Sequence, residues 1–118
     1  MSKRKDIDLI RDIKESFERI ISYTGNIDYE KFSNDYKTQD AVIRNIEIMG
    51  EAVKSLSGII VQNYPAIPWK SISGTRDKLI HDYFGVNVDI VWNIVKDEVP
   101  RLFLQIKEIL KDMESDCK

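Results

Sequence analysis

Apolar residues in this chain recur every third or fourth position in one stretch after another, and no stretch alternates cleanly with period two. Side chains three or four apart share one face of an α-helix, whereas a strand puts every second residue on one face. The pattern therefore predicts an all-α fold, an up-and-down bundle of four main helices plus a short one. The first helix is expected from about Lys5 to Tyr23, with Ile7, Ile10, Ile13, Phe17 and Ile20 on one side. Thr24-Gly25-Asn26 should end it, glycine being the usual left-handed stop. Asp28 can cap a short second helix through about Asn34, with Tyr29 and Phe32 facing inward.

The third helix, about Thr38 to Leu56, has the clearest stripe: Val42, Ile46, Met49, Val53 and Leu56, widened by Ala41, Ile48 and Ala52. Asn45 projects into that apolar sector. A buried amide must be hydrogen-bonded and often fixes the register between helices, and it could also orient a buried arginine. Ser57-Gly58 closes this helix, and Ile59 to Tyr64 reads as one irregular turn. Pro68 suits the first position of a fourth helix that ends near Phe84-Gly85. Asn87 is the expected cap of the last helix, which runs to about Met113. Its stripe is Val91, Ile94, Val95, Val99, Leu102, Ile106, Ile109 and Met113. Pro100 lies inside it and lacks an N–H, so a kink or break is expected there.

With 118 residues and neither a linker nor a repeat, the chain 1–118 reads as a single domain. The formal net charge of −2 leaves no global footprint of a nucleic-acid binder, so any polyanion needs a local site or one shared between chains. The single cysteine, Cys117, cannot close an internal disulfide, which fits a reducing compartment. No apolar run approaches the ~20 residues of a membrane span, and the start lacks an apolar signal core. The expectation is a cytoplasmic protein with no membrane contact. Trp92 and aliphatics on several arcs suggest a further apolar face, hence a homodimer.

The unusual chemistry is concentrated between Trp69 and Asn87. As a helix, Trp69, Ile72, Leu79, Ile80 and Tyr83 form one apolar face, with Arg76 near its middle. A guanidinium cannot lose its charge, so it needs a carboxylate, a cluster of carbonyls or an anionic ligand. His81, the only histidine, falls about 140° further round. Each has a plain structural reading, an ion pair for the arginine and a surface position for the histidine. Their coincidence in one short stretch favours a site.

Other chemistries lack their residues. No CxxC or histidine cluster supports zinc, and no inward Glu-x-x-His units support a carboxylate metal cage, so no metal and no cofactor are expected. There is no Walker loop or dinucleotide fingerprint. A triad of Ser71 or Ser73 with His81 and Asp77 lacks a nucleophile elbow. Arginine plus histidine remain, and they suffice in principle for metal-independent RNA cleavage. The RNA supplies its 2′-hydroxyl as nucleophile, histidine moves the proton, and arginine stabilises the phosphate charge. One histidine is thin for both acid and base roles, whereas a dimer would bring two into one cleft.

Arg76, four residues, His81, Asp82, Tyr83 resembles the Arg-x4-His-x-Tyr signature of the HepT-like toxins, a branch of the HEPN nucleases. The segments DAVIRNIEIMGEA (Asp40 to Ala52) and IPWKSISGTRDKLIHDYFGVNVDIVW (Ile67 to Trp92) resemble that family's third-helix block and its most characteristic run. The resemblance covers essentially the whole chain. It implies an all-helical homodimer with the signature in a cleft at the dimer interface, acting as a ribonuclease toxin on RNA, including tRNA, without a required metal. Arg76 and His81 would be the catalytic pair, and Asn45 a looser match to a polar residue that supports the arginine. Tyr83 corresponds to the tyrosine to which the cognate antitoxin, an MntA-like minimal nucleotidyltransferase, transfers AMP. Nucleotide phosphates beside an arginine meant for RNA would block the cleft. Asp82 is an odd neighbour for an RNA site. A second reading uses the same residues in a non-catalytic module that binds nucleotide or substrate beside a nucleotidyltransferase. A third is a purely structural dimerisation module, which leaves Arg76 without a purpose.

Overall fold

The computed structural model describes residues 5–80 and 87–116, with side chains described except at 76–80 and 116. Among the described residues every regular element is helical. They are α1 (Asp6–Thr24), α2 (Tyr29–Ser33), α3 (Tyr36–Ser55), α4 (Gly58–Asn63), α5 (Trp69–Ile80), α6 (Val88–Asn93), a π-helical turn (Ile94–Glu98) and α7 (Val99–Asp116). The all-α expectation holds, with one short helix, α4, more than the sequence pattern suggested.

Contacts order the long helices. α3 packs against both α1 and α5, and α1 packs against α7. Polar ties fix their directions. Asp6 at the start of α1 accepts from the Ser57 N–H (2.9 Å) and hydroxyl (2.6 Å), just past the end of α3. Lys96 donates from Nζ to the Thr24 carbonyl at the end of α1 (3.1 Å), while Arg11 reaches Glu114 (3.3 Å). Both neighbours of α1 therefore run antiparallel to it. The half-exposed Arg11–Glu114 pair contributes little energy. Stability comes from the shared core, in which Ile10, Ile13, Phe17, Ile20, Val42, Ile46 and Ile106 are fully enclosed.

Several local expectations are corrected. Gly25 is right-handed (φ −64°, ψ −27°), and its N–H continues the ladder to Ile21 O (2.8 Å), so no left-handed stop is used. The helix is instead closed by its own C-terminal contacts: the buried Thr24 hydroxyl donates to Ile20 O, and Lys96 meets the Thr24 carbonyl, as a cation at a helix C-terminus should. Phe32 is fully buried, but Tyr29 is 42% exposed and not inward. Ile59 to Tyr64 is not an irregular turn; Gly58–Asn63 forms α4, with Ser57 at its N-cap. Pro68 stands one place earlier than expected, since its carbonyl accepts the first α5 bond from Ile72 N–H (3.0 Å). A proline fits there because the N–H it lacks would have had no helical partner.

The break expected near Pro100 takes a specific form. Val91, Val95 and Val99 are all buried, and each step between them is four residues. Two such steps overshoot two α-helical turns by about 80°. The wider π turn absorbs the overshoot, with Val99 N–H donating to Ile94 O five residues back. Backbone angles stay right-handed helical on both sides, so α6, the π turn and α7 form one helical run.

Two predictions arise here. Gly74 sits inside α5, and a Cβ there would meet nothing within 4 Å. Gly74→Ala should therefore stabilise by about 0.5–1 kcal/mol, seen as a higher midpoint in urea. Asp35 caps α3, accepting from Thr38 Oγ1 (2.7 Å) and N–H (3.0 Å). These bonds, the side-chain one foremost, hold its carboxyl below the usual value. A depressed carboxyl contributes stability that is full above its unfolded pKa and lost as pH falls through the folded one. Asp35→Asn, which caps without titrating, should flatten the thermal-stability profile below about pH 4.

Candidate functional site

Arg76 belongs to α5, four residues after buried Ile72 and seven after buried Trp69. Seven residues return to within about 20° of the starting direction, so position 76 continues the stripe that packs α5 on the bundle. Only its backbone is described. His81 and Tyr83 lie outside the described residues, as do Asp82 and Phe84, and the side chains of Asp77, Leu79 and Ile80 are likewise undescribed.

α5 enters this position on firm anchors. Trp69 is buried, and its indole N–H donates to the Tyr64 carbonyl (3.0 Å), tying the first turn to the Pro65–Pro68 connection. The main neighbour of α5 is α3, the helix that carries Asn45. Asn45 is buried, as its place in the stripe predicted. Its Nδ2 donates to Ala41 O (2.9 Å), one turn back in the same helix. That bond satisfies one N–H of the buried amide within its own helix. Of the hydroxyls considered for a triad, Ser73 donates to Lys70 O on its own helix (3.2 Å), as its neighbour Thr75 does to Ser71 O (2.9 Å).

A groove of about 620 Å³ separates α5 from the α6–π run, lined by Gly74 and Thr75 on one side and by Ile94, Asp97 and Glu98 on the other. Its acidic residues, Asp97 and Glu98, stand on the π-turn side, across from Ser71, Gly74 and Thr75 of α5. Among the described residues, no three His, Cys, Asp or Glu side chains converge as metal ligands, and no helix is long and apolar enough to cross a membrane.

Sequence reasoning missed a polar chain next to this region. Gln39 is buried and donates from Nε2 to Phe32 O (2.7 Å), joining α3 to α2. Tyr29 donates its hydroxyl to Asp89, joining α2 to α6. That hydrogen bond, with partial burial and the carboxylate charge, raises the phenol above its ordinary pKa. Trp92 packs on Phe32 (ring centroids 5.0 Å apart) and on the edge of Tyr29 (6.1 Å), with Lys96 over its face (4.6 Å). Gln39 could have been found, because it precedes Val42 by one helical step; the Tyr29–Asp89 pairing, across 60 residues, carries no local signal.

The family described as Ribonuclease HepT-like matches residues 13–109. A Methanocaldococcus jannaschii protein named as an RNase is 45% identical over 96% of this chain and 94% of its own length. A Thermococcus cleftensis protein named as ribonuclease HepT is 43% identical over 92% of this chain and 99% of its own. Another M. jannaschii protein, named as both a gamma-glutamylcyclotransferase and an RNase, is 40% identical over 96% of this chain but only 51% of its own length. No solved structure matches the chain. With the match spanning most of its length and two close relatives covered nearly end to end, this chain belongs to the HepT-like ribonuclease family.

Proposed function

We propose that the chain, as one domain, is the toxic ribonuclease of a HEPN/MNT toxin–antitoxin pair, cutting RNA, tRNA included, without a metal. His81 takes the proton from a 2′-hydroxyl as that oxygen attacks the neighbouring phosphorus. The bond to the 5′-oxygen breaks, and a protonated histidine, supplied by the second copy in a homodimer, returns a proton to the leaving group. Arg76 stabilises the charge on the phosphoryl oxygens. Asn45, buried on the helix against which α5 packs, supports the arginine-bearing segment. Tyr83 accepts AMP from an MntA-like nucleotidyltransferase, which closes the cleft to RNA.

The observation that carries this reading is the placement of Arg76 in the register of a buried stripe, in a chain of the HepT-like ribonuclease family. An arginine there needs an anion, and an RNA phosphate supplies one. The experiment is cleavage of a total tRNA pool in EDTA by unmodified wild type beside Arg76→Ala and His81→Ala. Cutting by the wild type alone supports the assignment. Cutting by all three rejects the pair as catalytic. A second reading uses the same arginine and histidine to grip a phosphate without cleaving it, in a non-catalytic nucleotide- or substrate-binding partner of the nucleotidyltransferase. No cutting by any of the three, with intact mass showing bare Tyr83, would select it.

A further inference from the structure

A second groove lies at the start of α5, between the connection that enters that helix and the outer side of α7. It holds about 490 Å³, with Pro65, Ala66 and Ile67 on one wall and Leu104, Glu108 and Asp112 on the other. Both walls are fixed. The Tyr64 carbonyl accepts from the Ile67 N–H (3.2 Å) and from the Trp69 indole (3.0 Å), and α7 packs along α1. Ile67 and Ile109 are buried beneath the groove, whereas Leu104 is 60% exposed at its edge. Glu108 and Asp112 are exposed one helical turn apart, and neither makes an ion pair among the described residues. An apolar floor with an acidic lip fits a side chain that is apolar along its stem and cationic at its head. Arginine is such a side chain.

We infer that this groove takes Arg101 of a second copy of the chain, with α7 packed antiparallel on its counterpart about a two-fold axis near Leu104. Arg101 is exposed on α7 and makes no ion pair among the described residues. It precedes Glu108 by seven residues, which return to within about 20° of the same direction, so cation and carboxylate share one outward face. Leu104 and Gln105 lie midway between them. In an antiparallel pair centred there, each Arg101 stands level with the second copy's Glu108, and the contact is made twice, as a two-fold axis requires. The guanidinium then meets the carboxylates of Glu108 and Asp112, its stem lies over Pro65 and Ala66, and the two Leu104 side chains meet near the axis. A parallel pair would set Arg101 against Arg101 and is disfavoured. A stable contact needs about 800 Å² from each copy, roughly a tenth of the 7656 Å² surface of this chain, which the stripe from Arg101 to Asp112 and the 63–67 connection must supply together. This face is separate from the cleft proposed above and does not depend on the nuclease reading.

The test is the mass of the full chain in solution, measured by light scattering at about 100 µM, where contacts of micromolar Kd are filled. Arg101→Glu and Glu108→Arg, both at exposed positions, should each halve the mass relative to wild type while the helical circular dichroism stays unchanged. A two-fold pair uses each charge twice, so either change sets like charges together at both ends. The two variants should rescue each other. In an equimolar mixture, Arg101→Glu supplies carboxylates at both positions and Glu108→Arg supplies guanidinium groups at both, so a mixed pair has two correct contacts and the wild-type mass returns. The Arg101→Glu/Glu108→Arg double variant should reach that mass by itself. Leu104→Asp should halve the mass with no rescue by either variant. Pairing through the cleft multiplies wild-type and variant masses alike, so the ratio remains the readout. Equal masses for wild type and all the single variants would overturn the inference and leave the groove to a different protein. Halved masses without recovery in the mixture would also overturn it, because the antiparallel pairing of Arg101 with Glu108 would then be wrong.

Discussion

His81→Ala is expected to reduce RNA cleavage by about 10²–10⁴-fold, the span that positioned proton transfer contributes, while the helical circular dichroism and thermal midpoint stay at wild-type values. The chain contains one histidine, so no second imidazole of the same copy can take over the proton. The loss should appear in kcat more than in KM, because a proton in flight is a feature of the transition state. In a mixture of wild-type and His81→Ala chains, a site using both copies predicts one damaged cleft per mixed dimer, so activity should fall faster than the fraction of wild-type chains. A strictly linear fall would show that each copy works alone. Cleavage at the wild-type rate by the purified variant would remove His81 from the mechanism altogether.

The largest effect on stability is expected from Phe17→Ala. Phe17 is fully buried at the middle of α1, the helix that packs on both α3 and α7. Its ring fills space between layers that cannot both collapse inward, so the loss should be about 3–5 kcal/mol. A domain of this size holds about 5–15 kcal/mol in total, which leaves the variant marginal near body temperature. Urea unfolding followed by helical signal should show a much lower midpoint with the slope preserved. A shift below about 1 kcal/mol would mean that the site repacks freely and that the core is looser than the enclosure of Phe17 indicates.

The stripes of α1 and α3 were legible because burial follows a single period along each helix. Ile10, Ile13, Phe17 and Ile20, and then Val42, Ile46 and Met49, all lie where that period puts them. Asn45 was legible for the same reason, as a polar residue in an apolar sector. What escaped was set by contacts between distant segments. Gly25 looked like a left-handed stop, but Lys96, more than seventy residues later, helps close α1 and the glycine keeps an ordinary backbone. Tyr29 looked inward from the spacing of α2, yet a five-residue helix is too short for periodicity to choose a face, and Asp89 draws the phenol outward. The π turn was visible only as a disruption expected near Pro100; the paired four-residue steps of Val91, Val95 and Val99 were its actual signal. For the site, the position of Arg76 could be read from the stripe, whereas the roles of His81 and Tyr83 come from the signature and not from any period.

The π turn also limits how this region can change in length. Removing one residue between Ile94 and Glu98 would let the run relax into plain α-helix, a gain in local regularity. Because the π turn already takes up the rotation of that extra residue, the segment from Val88 to Asn93 would keep its facing to within about 20°, with Asp89 still at Tyr29 and Trp92 still at Phe32. Adding a further residue there would instead swing that segment by about 100° about the helix axis. Viable length variants of this fold should therefore tolerate the loss of one residue from the π turn and place their insertions in the turns after α1 and between α4 and α5.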